Sequence, residues 1–493
     1  MKKYITIGLL IGIIGLSGCE DDLNQEPIGV LTQEQVDLTP TLTGMENQTK
    51  SAYMLLSNTL NIMGSWDWTG GLVFQNDIVL QDIGSDDMQK KWIIDGDQTW
   101  MDEINSFTFT TTNGGPNGLW RYNYEGIKRA NTVIQHCNNP QIESITGITT
   151  ERKNQLLAEC LFLRSYYYFA LVTNFGGVPL ILEPVTDINT AFELAARTDE
   201  ATIFDQLRSD LDQAASLLPN TKYSSSTEQW RVSKGAAIAL HAKIELYSEN
   251  WTAVPGLVDQ LSGLGFGLNA NYFDAFRQSS EFNENEDIFV FDHQNNAAPL
   301  RGNGLCAVMG WGFFAPTQNF LDEFEENDPR KFYTVDVPNQ NVNKLLGSLD
   351  GTFKGNDDAP VNKIYIRYAD CLLWKAEALL NSGDTAGAVT IINQVRNRAR
   401  TTVAADGSTP PAGTLPDRSS AADANQVRQW LIHERRVELG FESQRLLDLK
   451  RWGIAQQVLD GQGINFQEKH MLYPIPQSDV NATAGTLTQN PGY

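Results

Sequence analysis

The chain contains 493 residues, of which 41% are hydrophobic and 20% charged, enough apolar side chains for a large core. That core can belong to one large domain or to two closely packed ones. The formal net charge is −23 at pH 7, and so acidic a surface repels phosphate groups, which argues against nucleic acid as a partner.

The first residues have the pattern of a bacterial lipoprotein signal. Two lysines precede an almost wholly apolar run over 5–16, which is shorter than a membrane-spanning helix requires. The order Leu-Ser-Gly-Cys at 16–19 is typical of a lipobox. We predict that residues 1–18 are removed and that Cys19 carries the lipid. The alternative is an ordinary secretory signal followed by an accidental cysteine.

The segment 19–42 has the composition of a flexible tether. Three carboxylates follow Cys19 at 20–22, and the polar residues after them cannot bury apolar area. This acidic run resembles the signal that sends some bacterial lipoproteins to the outer leaflet of the outer membrane. We therefore predict a lipid-anchored protein of the outer membrane that faces the cell exterior. The alternative is a solvated spacer without a sorting role.

Helical periodicity dominates the remaining chain, 43–493, and predicts a mostly α fold. Residues 150–173 are typical, because apolar side chains recur at three- and four-residue steps until glycines and a proline end the pattern at 176–179. The predicted helices are 43–61, 117–138, 150–173, 199–218, 232–250, 316–326, 362–382, 385–400, 422–440 and 445–459.

Two pairs of these helices resemble tetratricopeptide repeats. In 362–400, small residues lie where two antiparallel helices would cross, and Gly383-Asp384 forms the turn. The pair 199–218 and 232–250 is a weaker example with several alanines in its second helix. Repeats of this kind serve mainly as a structural scaffold, and only in some proteins do they also form a groove that binds a peptide.

Two regions interrupt the helical pattern. Residues 62–115 and 265–360 are rich in Gly, Asn, Asp and aromatic residues and contain short strand-like pieces such as 287–291. Irregular segments of this length in a compact protein usually carry function. We expect the binding loops there.

The chain contains no recognisable catalytic or cofactor motif. It lacks GxSxG, HExxH, a Walker-type loop and GxGxxG, and its histidines and cysteines show no metal-ligand spacing, so we expect no cofactor and no metal site. The acidic pairs at 86–87 and 325–326 could serve a glycosidase but are more often surface charges. A disulfide between Cys137 and Cys160 and a calcium ion at 281–287 remain open possibilities.

The segment 433–452 alternates positive and negative side chains on a partly apolar helical pattern. This could indicate an active-site helix. Buried or half-buried ion pairs that fix one helix to another explain the pattern better, because charged residues near a core are normally paired.

Four blocks of the chain resemble the SusD/RagB family. Each is moderate evidence alone, but they occur in the family's order behind a lipoprotein signal. They are 157–180 with FLRSYYYF and NFGGVPL, 366–399 with IRYAD, KAEA and VRNRA, 434–452 with ERRVEL and DLKRW, and the ending with LYPIP at 472–476 and QNPGY at 489–493.

The resemblance implies a SusD-like, mostly helical, single-domain surface lipoprotein without enzymatic activity. Members of the family capture oligosaccharides, or in some branches peptides, and cover a SusC-like TonB-dependent transporter in the outer membrane. Their sugar site is built from loop aromatics, away from the repeats that help to dock the transporter. The resemblance does not name the glycan, because the ligand loops vary most.

Aromatic residues in the two irregular regions are the candidate glycan contacts. A pyranose ring has apolar C–H faces, which are removed from water when they stack on an aromatic ring. Amides and carboxylates of the loops can form hydrogen bonds with the hydroxyl groups of the sugar. The candidates are Trp92, Trp100 and Trp311, with Trp66, Trp68, Phe313, Phe314 and Asp67. The chain is expected to bind glycan without turnover. The alternatives are the same scaffold binding peptides, or a surface glycosidase.

Overall fold

The computed structural model describes residues 40–57, 63, 76–91, 96–222, 228–295, 302–404 and 407–493. The predicted signal 1–18 and nearly all of the tether 19–42 lie outside the described residues.

Helices dominate the described part of the chain, as predicted. In chain order they are α1 Leu42–Met54, α2 Asn76–Ile78, α3 Thr99–Ser106, α4 Gly114–Asn138, α5 Ile142–Thr146, α6 Thr150–Phe175, α7 Ile188–Glu193, α8 Glu200–Leu217, α9 Lys234–Tyr247, α10 Val254–Gly263, α11 Gly304–Trp311, α12 Gln318–Glu323, α13 Pro329–Thr334, α14 Asn343–Leu346, α15 Tyr368–Asn381, α16 Thr385–Thr401, α17 Ala424–Leu439, α18 Arg445–Arg451, α19 Ala455–Asp460 and α20 Gln477–Ala482.

The strands are short and form two-stranded antiparallel sheets. They are β1 Met88–Lys90, β2 Asp287–Phe291, β3 Phe314–Pro316, β4 Val335–Asp336, β5 Asn341–Val342 and β6 Lys363–Arg367. Strand β1 pairs with β3, β2 with β6, and β4 with β5. The two regions predicted to be irregular, 62–115 and 265–360, thus contain short helices and most of these strands.

The structure corrects three predicted helices. The predicted helix 362–382 is wrong at its start, because Lys363–Arg367 pairs with β2 as a strand and α15 begins only at Tyr368. The predicted helix 445–459 is two helices, separated by a turn at Gly453 with φ +69°. The first predicted helix, 43–61, ends its regular part at Met54 and continues as a 3-10 turn to Ser57, and its last predicted residues, 58–61, lie outside the described residues.

The two longest helices, α4 and α6, form the centre of the core. Helix α6 begins where the Thr149 side chain accepts a hydrogen bond from the Arg152 amide at 3.2 Å. The two helices approach so closely at Gly126 that a Cβ atom there would lie 2.4 Å from the Tyr167 ring. The Tyr167 hydroxyl donates to the Ala52 carbonyl, which fastens α1 to the same pair.

Both predicted helix pairs are present. In α15–α16 the small residues at 376, 378 and 388 are fully buried, and Gly383 makes the turn with φ +89°. Helix α17 packs against both members of this pair. In α8–α9 the alanines of α9 are likewise buried. The small side chains let each pair of backbones approach closely, as in tetratricopeptide repeats.

A buried ion-pair cluster joins the region 265–360 to the C-terminal helices. At its centre the Glu438 carboxylate contacts Arg330, Arg367 and Arg398. Burial alone would raise the pKa of Glu438, but the surrounding guanidinium groups hold it well below its usual range. Arg367 also pairs with Glu286 at 2.5 Å, at the start of β2. The structural interpretation of the charged segment is therefore confirmed.

The four cysteines among the described residues are buried free thiols, including Cys137 and Cys160, so these two form no disulfide in this structure. Burial raises the pKa of the Cys137 thiol to about 12. Such a thiol is rarely ionised at neutral pH and acts as a small apolar side chain.

Candidate functional site

A small sheet brings two of the predicted aromatic loops together. Strand β1 pairs with β3 from Met88–Pro316 to Lys90–Phe314, and the Lys91 amide donates to the Phe313 carbonyl at 2.9 Å. Strand β1 precedes Trp100 in the chain, and strand β3 follows Trp311. The pairing of these strands therefore brings the two aromatic loops to the same sheet.

Trp100 is buried in this region, at 5% exposure. Its indole Nε1 donates to the Gln98 side chain at 2.8 Å, and its carbonyl accepts from the Asn113 side chain at 3.0 Å. The ring also packs against Gly115. Trp100 thus presents little surface to a ligand and helps to support the loop.

Phe313 and Phe314 are also buried, at 7% and 1% exposure. The Phe313 ring meets Trp311 edge-to-face, with 6.4 Å between the ring centroids. This contact supports one side of the indole. Phe313 is therefore placed to hold Trp311, and both phenylalanines are too buried to carry a sugar themselves.

Trp311 is 49% exposed, and it is the most exposed tryptophan among the described residues. It ends α11, which begins where the Asn303 side chain accepts from the Leu305 amide at 3.1 Å and donates to the Val361 carbonyl at 2.8 Å. Gly312, with φ +85°, turns the chain from α11 into β3. Trp311 is thus an exposed aromatic residue at the end of a helix whose start is anchored by hydrogen bonds of Asn303.

The loop 351–358 lies directly beside the C-terminal end of α11. A Cβ atom on Gly310 would lie 2.3 Å from the Gly355 Cα atom, so the two backbones touch. The Gly355 amide donates to the Cys306 carbonyl at 2.8 Å. Exposed polar side chains of this loop, at 354, 356 and 357, can bond sugar hydroxyls next to the indole.

The turn at 96–98 is fixed to the same sheet by a buried lysine. The Lys90 ammonium donates to the Asp97 carbonyl and pairs with Asp102 at 3.0 Å. This leaves the Asp97 side chain exposed on a fixed turn. The remaining predicted contacts, Trp66, Asp67, Trp68 and Trp92, lie outside the described residues.

Of the carboxylates considered for hydrolysis, Asp86, Asp87 and Glu325 are engaged in ion pairs, and Glu326 is an exposed side chain. Asp86 contacts Arg445 at 2.7 Å and Arg436 at 2.9 Å. Glu325 contacts Arg396 at 2.6 Å, and such pairing lowers its pKa although burial opposes this. Both groups serve to connect helices.

Three cavities stand out among the described residues. Two interior ones, of about 40 and 60 Å³, border Lys363 and Ser443 and are too small for a sugar ring. The third, of about 410 Å³, opens at the surface between α4, α7 and α20. In this part of the chain no cluster of His, Cys, Asp and Glu could hold a metal ion. No helix there is long and apolar enough to cross a membrane.

Sequence reasoning placed the loop 351–358 within the predicted binding region 265–360 but named none of its residues, and it missed the 410 Å³ cavity. The glycines at 351 and 355, both with positive φ, were a signal of tight turns, but not of contact with Gly310. The cavity walls come from segments as far apart in the chain as Trp120 and Leu487, so no local pattern could reveal it.

Comparison with known families identifies the chain. The model described as the SusD family matches residues 331–493, and one described as "Starch-binding associating with outer membrane" matches 46–246. The chain belongs to the SusD/RagB family. SusD-like proteins are glycan-binding surface proteins without catalytic activity, which agrees with the non-catalytic interpretation of the sequence.

Individual relatives cover almost the whole SusD-like chain. SusD-like protein P2 of Formosa agariphila is 24% identical over 540 aligned positions, which span all of both chains. A solved laminarin-binding SusD-like protein is 24% identical with a TM-score of 0.73, covering 92% of this chain and 100% of that one.

Surface glycan-binding protein A of Bacteroides thetaiotaomicron, solved with laminarihexaose, is 21% identical with a TM-score of 0.72, covering 91% of this chain and 99% of that one. These similarities confirm the predicted SusD-like helical fold.

Proposed function

We propose that this protein captures a glycan at the cell surface by stacking a sugar ring on Trp311. The observation that supports this proposal is the half-exposed indole on a fixed helix end, beside the polar loop 351–358. The sugar hydroxyls bond well to water, so new polar contacts gain little, whereas burial of the C–H faces is favourable. Trp66, Asp67, Trp68 and Trp92 remain candidate contacts, and Trp100, Phe313 and Phe314 support the site.

Laminarin is the first ligand to test. Two similar solved structures are described as laminarin-binding and as a complex with laminarihexaose. The net charge of −23 also favours a neutral glycan over a strongly anionic one. Calorimetric titration of the soluble protein, beginning after Cys19, with laminarihexaose should give measurable heat of binding. Binding of peptides but of no member of a glycan panel would reverse the proposal.

We further propose a lipid anchor at Cys19 in the outer membrane and delivery of the glycan to a SusC-like TonB-dependent transporter. Support comes from the lipobox pattern and from the family description of association with the outer membrane. Gentle detergent extraction should recover the protein together with a very large β-barrel protein. Recovery as a lone lipoprotein would contradict the partnership.

The anchor has its own test. Cys19→Ala should remove the protein from the membrane fraction without changing its fold, because Cys19 precedes the predicted folded region 43–493. Metabolic labelling with a fatty acid measures the lipid directly. Label that persists in Cys19→Ala would contradict the assignment.

A further inference from the structure

Helix α7 exposes apolar side chains that the fold leaves uncovered. None of its residues is buried, Ile188 is 67% exposed, and Phe192 is 40% exposed. Val185, just before the helix, and Leu194, just after it, are each 37% exposed. Scattered apolar residues are normal on a surface, but four within ten residues form a patch of the kind that marks an interaction site.

The patch continues into the 410 Å³ cavity. Ile188, Ala191 and Phe192 share one face of α7. Ala191, and Ala195 just past the end of the helix, line the cavity wall. Trp120 and Tyr124 of α4 line it as well, and the Tyr124 hydroxyl already donates to the Pro179 carbonyl at 2.9 Å. The cavity is large enough for one bulky apolar side chain, with the exposed residues of α7 at its edge.

Acidic side chains alternate with the apolar ones. Glu183 and Glu193 are exposed, and Asp187 accepts hydrogen bonds from the Asn189 and Thr190 amides at 3.0 Å. Hydrogen bonds from Thr190 lower the pKa of Asp187, which therefore stays negatively charged. The apolar patch on α7 thus has a negative rim, whereas the cavity beside it is lined by both signs, with Arg121 and Lys128 as well as Glu125 and Asp479.

We propose that this surface, α7 with the adjoining cavity, docks a segment of another protein that places an aromatic or branched apolar side chain between lysines or arginines. An apolar anchor in a pocket with complementary charges at the rim is the usual basis of such recognition. The surface shares no residue with the site around Trp311, and the inference does not rest on glycan binding.

The negative rim argues against two other occupants. A second copy of this chain would bring the same acidic residues face to face in a symmetric contact. A membrane surface would present anionic headgroups, which favour basic helices and repel this one.

Photo-cross-linking in the intact outer membrane tests the proposal. The photoreactive residue p-benzoylphenylalanine replaces Phe192, or Phe332 as the matched control, a phenylalanine that is 54% exposed on α13. We expect an adduct with another protein only at position 192. Sequencing of the linked peptide should show an apolar side chain flanked by lysine or arginine. The double change Glu183→Lys and Glu193→Lys should lower the yield at least about threefold.

Several results would overturn it. They are equal yields at the two positions, no protein adduct at 192, an adduct with a second copy of this chain or with lipid, a linked peptide without basic residues, and a yield that the charge reversal leaves unchanged. Circular dichroism of each variant shows that the fold is retained, so a lost adduct reports on the surface.

Discussion

At the scale of single residues, Lys450 in the DLKRW block lies in an unfavourable environment for its charge. Its ammonium lies 4.6 Å from the centre of the Tyr473 ring, and its Nζ atom has no hydrogen-bond partner among the described residues. Burial lowers the pKa of Lys450 to about 7. Protonation of Lys450 in the folded protein therefore costs more free energy than protonation of a lysine in water.

Lys450→Met should therefore stabilise the protein. Between pH 7 and about 10.5 the unfolded chain binds more protons than the folded one, so the stability of the native protein falls as the pH drops through this range. The methionine variant loses no such stability, and we expect it to be more stable by about 2–4 kcal/mol at pH 6. Denaturant unfolding at pH 6, 8 and 10 measures the difference, which should shrink as the pH rises. A gain that is independent of pH would contradict the argument.

At the scale of elements, the position of α11 depends on the contact between Gly310 and Gly355. A methyl group at 310 would meet the Gly355 nitrogen at 2.4 Å, and backbone cannot move aside as a flexible side chain can. An alanine at position 310 would therefore displace the end of α11, and Trp311 would move with it. The loop 351–358 is then both a wall of the site and a support for its aromatic residue.

Gly310→Ala should consequently destabilise the protein by about 1–3 kcal/mol and weaken glycan binding. The matched control is Gly263→Ala at the end of α10, where a Cβ atom meets nothing within 4 Å. Glycine-to-alanine changes at such open helical positions usually stabilise, by about 0.5–1 kcal/mol. Thermal unfolding and calorimetry of both variants give the comparison. Equal effects of the two changes would show that the contact does not position Trp311.

The elements also show what the sequence could and could not predict. Helical periodicity located the long helices to within a few residues, because their apolar stripes are local patterns. It misassigned Lys363–Arg367, because this strand is specified by pairing with β2, more than 70 residues earlier. The aromatic contacts stay a prediction as a group, and among the described ones only Trp311 is exposed. The burial of Trp100 follows from Gly115 and Asn113, which pack around it only in the folded chain.

At the scale of the whole molecule, the charge is distributed unevenly. The chain has 37 lysines and arginines against 60 acidic residues, and arginines such as 330, 367, 396 and 398 are buried in ion pairs. The surface therefore carries few positive charges, while the carboxylates buried with these arginines are removed from it as well. Such a surface repels anionic polymers at long range and leaves neutral sugars unaffected.

Binding of laminarihexaose should therefore change little between about 0.05 and about 0.5 M NaCl, since no charge on the ligand is screened. A sulfated glucan of the same length should bind more weakly, and its affinity should rise with salt. Calorimetry at the two salt concentrations provides both measurements. Tight binding of the sulfated ligand that weakens with salt would reveal a basic site absent from this account.

We expect Trp311 to supply much of the affinity for glycan and the protein to leave the bound sugar uncleaved. Calorimetry with laminarihexaose on the native protein, Trp311→Ala and the control Phe192→Ala, another exposed aromatic residue, tests this claim most directly. Loss of one well-used aromatic contact costs about 1.4 kcal/mol or more, so Trp311→Ala should bind at least about tenfold more weakly with an unchanged Tm. Phe192→Ala should bind like the native protein, and the sugar should be recovered intact. Unchanged affinity in Trp311→Ala, or release of shorter sugars by the native protein, would contradict the claim.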